Sequence, residues 1–224
     1  MLRDARLNAS SIKVVSIGDS VIEGKCAGPR CGWVDLFVRE RGRDGSAMSL
    51  INNGRGGYTI SQLQKRLHRD CIDHQPDVVI LGVGVNDSRF RPSQLGAETP
   101  IEQYRAGLGE ILRTIGEKTG AKIIVSGQVP VIDGLVDPYK EDKHYRRILQ
   151  IEYERELHNA SVQYQALFID NFARWLERGE EFINSHLEDG LHPNTLGHRD
   201  IATYAGRLYD VYWERMSAKS VTRT

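Results

Sequence analysis

Four short stretches of this 224-residue chain carry side chains that could do chemistry. In VVSIGDSVIEGK (14–25) an apolar run stops at Gly18, and the turn that follows holds Ser20, a candidate nucleophile. NNGRGGYT (52–59) clusters Gly54, Gly56 and Gly57, where a backbone without Cβ lets N–H groups approach a ligand closely. LGVGVNDSR (81–89) offers Asn86, whose amide suits a developing oxyanion. HLEDGLHPNTLGH (186–198) places Asp189 three residues before His192, and Pro193 restricts His192 to extended backbone. A short turn can then let Asp189 accept from the imidazole N–H while the other ring nitrogen faces a proton donor. That is the general-base half of a nucleophilic triad.

Each stretch also admits other chemistry. A phosphate loop needs two glycines four residues apart followed by Lys and Ser or Thr. Gly18 and Gly24 enclose five residues, Cys26 follows Lys25, and Asp19 and Glu23 would oppose phosphate. The dinucleotide fingerprint fails at Ser20, and again at 82–87, where Asp87 replaces the third glycine. Asp19 and Asp87 read as residues that brace turns. His186, Asp189, His192 and His198 crowd together, yet their spacing matches no zinc pattern. His68, His74, His144, His158, His186 and His198 read as ordinary core or surface residues. No metal and no cofactor is expected. Lys25, Arg30, Arg55, Tyr58, Arg89, Arg91 and Gln128 lie in the same loops, either as a solvated rim or as polar company for a substrate.

The elements that must position these loops are legible as well. Apolar runs rich in Val and Ile at 13–17, 48–52, 77–83, 121–127 and 166–170 read as strands, most of them buried on both faces. Helical periods lie between them: Ile60, Leu63, Leu67 and Cys71; Ile101, Tyr104, Leu108, Ile111 and Ile115; Ile201, Ala205, Leu208 and Tyr212. A further helix is expected within 141–163, with Ile148 and Ile151 inward, and another at 172–186. Strand–helix alternation predicts a mainly parallel sheet with helices on both faces. Ligands gather beyond the carboxyl ends of such strands, where all four loops fall.

Bulk composition narrows the classes. Lys plus Arg equals Asp plus Glu at 30 each, which argues against a nucleic-acid partner. No apolar stretch approaches the ~20 residues of a membrane span. MLRDARLNASS has no apolar secretory core, and Cys26, Cys31 and Cys71 are too few for a disulfide framework, so a cytoplasmic setting is expected. Cys26 and Cys31 could pair across their loop. No linker divides the chain, and one domain over 1–224 is expected, with a core of about 12–217 and flexible termini.

Assembled, the blocks resemble the GDSL-type hydrolases of the SGNH superfamily. Ser20 in IGDSVIEG with Gly32-Trp33 downstream, Gly57 in NNGRGGYT, Asn86 in GVND, and Asp189 with His192 in DGLHPN match its four motifs in order. Val21 stands where the eponymous leucine would be, and counting back from Tyr58-Thr59 favours Gly57 among the three glycines. The resemblance implies a flavodoxin-like, three-layer α/β/α fold and metal-free ester hydrolysis. It implies Ser20, His192 and Asp189 as triad, with the Ser20 and Gly57 N–H groups and the Asn86 amide as oxyanion hole. The absence of G-x-S-x-G argues against the α/β-hydrolase elbow. The expected substrate is a small ester or thioester, with a short acyl group on a polar or sugar-like alcohol. An acyltransferase using the same triad and a non-catalytic binding module are the alternatives.

Overall fold

The computed structural model describes residues 11–42 and 47–221, with side chains to residue 212. The expectation of flexible termini falls mainly on residues outside these. Every Val/Ile run becomes a strand: β1 (Ile12–Gly18), β2 (Met48–Gly54), β3 (Val78–Gly82), β4 (Lys122–Ser126) and β5 (Leu167–Ile169). All pair in parallel, in the order β2-β1-β3-β4-β5. The helices in chain order are α1 (Ser20–Glu23), α2 (Trp33–Arg41), α3 (Ile60–Asp70), α4 (Ile101–Thr119), α5 (Asp133–Val136), α6 (Arg147–Gln163), α7 (Asn171–Glu177), α8 (Glu180–His186) and α9 (Thr195–Val221).

Successive strand side chains point to opposite faces, and both faces are packed. Val15, Ile17, Val79, Leu81 and Val125 meet Ile60, Leu63, Leu108, Ile111 and Tyr153 from α3, α4 and α6. Val14, Val78, Ile80 and Ile124 meet Trp33, Phe37, Ile183, Ile201 and Ala205 from α2, α8 and α9. The result is a three-layer α/β/α sandwich with the flavodoxin-like strand order. No helix of the described residues is long and apolar enough to cross a membrane.

That strand order positions the site. From β1 the chain winds outward to β2, then returns to place β3 on the other flank of β1. The crevice between β1 and β3 is thus the point where winding reverses and ligands collect. Gly18 and Gly82 end these neighbouring strands side by side. A Cβ on Gly18 would lie 2.1 Å from the Gly82 carbonyl oxygen, so only glycine lets the strands close up beneath the crevice.

Several expectations change. Ile148 and Ile151 do not face inward; they are 69% and 48% exposed. The buried side of α6 carries Gln150, Tyr153, Glu154, Leu157 and Ala160. Its polar members serve the loop leaving β4: Gln128 N–H donates to Glu154, and Val131 N–H donates to Gln150. The helix starts at residue 147 rather than 141, because backbone bonds between His144 and Phe90 hold the preceding segment extended. The helical stretch at 172–186 divides at Gly179, whose φ of 86° ends α7 and admits α8. A short antiparallel ribbon, Phe90–Arg91 with Gly96–Ala97, was not foreseen. All three cysteines are free thiols, so Cys26 and Cys31 do not pair.

Candidate active site

Ser20 opens α1 at the end of β1. The Asp19 carboxylate caps this helix by accepting from Val21 N–H at 2.9 Å, and Gly24 closes it in the left-handed region. Burial pushes the Asp19 carboxyl up to about 6, against the pull of its backbone hydrogen bonds. Ser20 Oγ lies 3.0 Å from His192 Nε2, although 172 residues separate them in the chain. His192 Nδ1 lies 2.8 Å from Asp189 Oδ2, and Asp189 Oδ1 also accepts from the His192 backbone N–H at 2.8 Å. Burial raises the Asp189 carboxyl, but hydrogen bonds from His192 and Leu191 outweigh it and hold the group well below the usual carboxylate range. An ionised Asp189 fixes the proton on Nδ1 and leaves Nε2 free to accept from Ser20.

The glycine cluster resolves by backbone accounting. Gly54 N–H donates to Asn52 Oδ1 at 3.0 Å, and Gly56 N–H to Glu23 Oε2 at 2.8 Å. Gly57 N–H has no acceptor among the described residues, and Gly57 lines the cavity above Ser20. The turn from Arg55 to Tyr58 puts Gly57 third, at φ 82°, the position of a type II turn that favours glycine.

Asn86 follows β3 and is 3% exposed. Its Nδ2 donates to the Tyr58 carbonyl at 3.1 Å, and its Oδ1 accepts from Tyr145 Oη at 3.0 Å. Arg89 Nη1 lies 3.2 Å from the same phenol oxygen. A guanidinium only donates, so the Tyr145 hydroxyl must pass its own hydrogen to Asn86. This relay fixes which end of the Asn86 amide is nitrogen and leaves one N–H for the cavity. Asp87, beside it, accepts from Ile60 N–H at 3.0 Å and so braces the start of α3. Burial pushes its carboxyl up to about 7.

The remaining candidates separate. Lys25 and Arg89 line the cavity. Arg30 and Arg55 are exposed, Arg91 pairs with Glu98 on the ribbon, and Gln128 is buried behind the site. His186 stacks on Phe182, while His198 accepts from Trp33 N–H and donates to the Lys25 carbonyl, so neither joins Asp189 and His192. Sequence reasoning missed Tyr139, Lys140, Lys143 and Tyr145, which also line the cavity. Tyr139 Oη donates to Asp189 Oδ2 at 3.0 Å. Their only signal was the density of Tyr and Lys at 139–145, a segment matching no motif.

A cavity of about 270 Å³ is thus lined by an alcohol, an imidazole and hydrogen-bond donors, with the Asp189 carboxylate behind the imidazole. Such an arrangement can move a proton from the alcohol and hold charge on a nearby oxygen. Residues 16–199 match the model of the GDSL-like lipase/acylhydrolase family. The chain belongs to that family. This carboxylic ester hydrolase is 25% identical over 170 residues to an acetylxylan esterase of Geobacillus stearothermophilus, covering 74% of each chain. Its fold is shared by the lipase/acylhydrolase of Enterococcus faecalis, with TM-score 0.73 and 21% identity over 88% of this chain and 94% of that one. The crystallised acetylxylan esterase of G. stearothermophilus superposes with TM-score 0.71 at 21% identity, covering 89% of this chain and 94% of the other.

Proposed function

We propose that this esterase releases short acyl groups, acetyl among them, from a small polar or carbohydrate-like alcohol through an acyl-enzyme on Ser20. The observation that carries the reading is the unbroken line from Ser20 Oγ to His192 Nε2 at 3.0 Å and from His192 Nδ1 to Asp189 at 2.8 Å. Ser20 Oγ attacks the ester carbonyl as His192 takes its proton, and the Ser20 and Gly57 N–H groups with the Asn86 amide meet the oxyanion. His192 then hands the proton to the leaving alcohol oxygen. Water attacks the acyl-enzyme with His192 again as base. The polar cavity and the likeness to an acetylxylan esterase support the substrate class.

A serine-directed phosphonate should add one label to the peptide carrying Ser20, read by mass spectrometry, and Ser20→Ala should lower kcat by about 10⁴–10⁶. Turnover of p-nitrophenyl esters should decline from acetate to decanoate, with acetylated xylo-oligosaccharides accepted. An unlabelled Ser20 refutes the nucleophile. A preference for ten-carbon acyl chains refutes the substrate class.

A further inference from the structure

The cavity over Ser20 and His192 is lined by four cationic side chains, Lys25, Arg89, Lys140 and Lys143, and by no carboxylate. In a chain with 30 basic and 30 acidic residues, that is a local departure from balance. Arg89 is answered by Glu98 at 2.8 Å. Lys25, Lys140 and Lys143 form no ion pair with any described residue; the Lys140 ammonium instead stands 5.4 Å over the Tyr139 ring. Two carboxylates adjoin the cavity without lining it, Glu23 beside Gly56 and Asp189 behind His192 and Tyr139, and each is held by hydrogen bonds from those residues. The others nearby are engaged elsewhere: Asp142 takes Ser93, and Asp137 takes His144 and Arg146.

The backbone that carries Lys140 and Lys143 is also held in place. Tyr139 N–H donates to Lys143 O at 2.8 Å and Lys143 N–H to Lys140 O at 2.9 Å, making a tight turn. Backbone bonds between Phe90 and His144 pin that turn to the ribbon. It stands on the base's side of the cavity, since Tyr139 Oη reaches Asp189 at 3.0 Å and its ring lies 6.3 Å from the His192 imidazole. Lys25 approaches from the loop that His198 grips. In a triad hydrolase the imidazole protonates the leaving alcohol, so the base's side is the leaving-group side.

We propose, building on the esterase reading above, that the alcohol half of the substrate carries an anionic group seated against Lys25, Lys140 and Lys143. A cleft lined by one sign of charge raises both the encounter rate and the residence of an oppositely charged substrate. The substrate class narrows to short acyl esters of acidic alcohols, such as a hydroxy acid or an acidic sugar.

The test pairs 4-acetoxybenzoate with its neutral methyl ester. Each kcat/KM is divided by the hydroxide-catalysed rate of the same ester, which removes the difference in leaving-group basicity. The normalised ratio should favour the anion by about 10-fold or more at low salt, expressed mainly in KM, and should fall towards one in 0.5 M NaCl as screening sets in. Lys140→Gln/Lys143→Gln should cut the ratio at least threefold. A wild-type ratio near one at low salt overturns the proposal. So does an equal loss on both esters in the double variant, because the lysines would then serve the oxyanion of any ester. Ser20→Ala run on both esters separates the two readings: retained turnover sinks the triad, whereas abolished turnover with no charge preference sinks only the anion site.

Discussion

Replacing Tyr145 with Phe removes one oxygen and leaves the ring in its buried seat, where Tyr145 is 4% exposed. The lost atom is the relay between Arg89 Nη1 and Asn86 Oδ1, at 3.2 and 3.0 Å. A neutral hydrogen bond contributes about 1 kcal/mol net, which converts to roughly fivefold in rate if all of it aims the Asn86 amide at the transition state. The ceiling is the loss of a whole oxyanion donor, about 10²–10³. Tyr145→Phe should therefore lower kcat on p-nitrophenyl acetate by about 5- to 30-fold, with KM little changed. Asn86→Ala should lower it by about 10²–10³. The decisive measurement is the double variant. If Tyr145 acts only by orienting Asn86, Tyr145→Phe costs nothing further once the amide is gone, so the effects are strongly non-additive. A full additional 5- to 30-fold loss on the Asn86→Ala background would refute the relay and make Tyr145 a direct substrate contact.

Two further outcomes follow from the same structure. Asp189→Asn removes the carboxylate that fixes the proton on Nδ1, so kcat should fall by about 10³–10⁴ while phosphonate labelling of Ser20 slows in parallel; a loss under tenfold would remove Asp189 from the triad. Burial pushes the Glu154 carboxyl up to about 8, well above its value in an unfolded chain, so the native state holds a proton that the unfolded state releases. Between about pH 4.5 and 8 stability therefore declines as pH rises, and Glu154→Gln should flatten that decline by on the order of 10 °C in Tm between pH 5 and 8. An unchanged slope would mean that Glu154 titrates normally.

The sheet and the four chemical blocks were readable because their causes are local. A continuous Val/Ile run needs two covered faces whatever covers them, and glycine, asparagine and a histidine before proline announce special backbone where they stand. What escaped notice depends on partners remote in sequence. Arg89 reads as a surface cation until Glu98 and Tyr145 fold over it, leaving it 5% exposed. The polar inner side of α6 is explicable only through the Gln128–Val131 backbone that it satisfies, so an apolar stripe was sought through Ile148 and Ile151. The Tyr139–Tyr145 segment reaches the site from an irregular connection, where no periodicity marks a direction.

His198 is wholly buried in the first turns of α9 and grips two backbone groups behind Ser20, Trp33 N–H at 3.1 Å and the Lys25 carbonyl at 2.9 Å. His192 lies six residues earlier, so Ser20 and its imidazole partner are both moored to the start of α9. Loosening the start of α9 alone would consequently disarm the enzyme while the sheet stays folded.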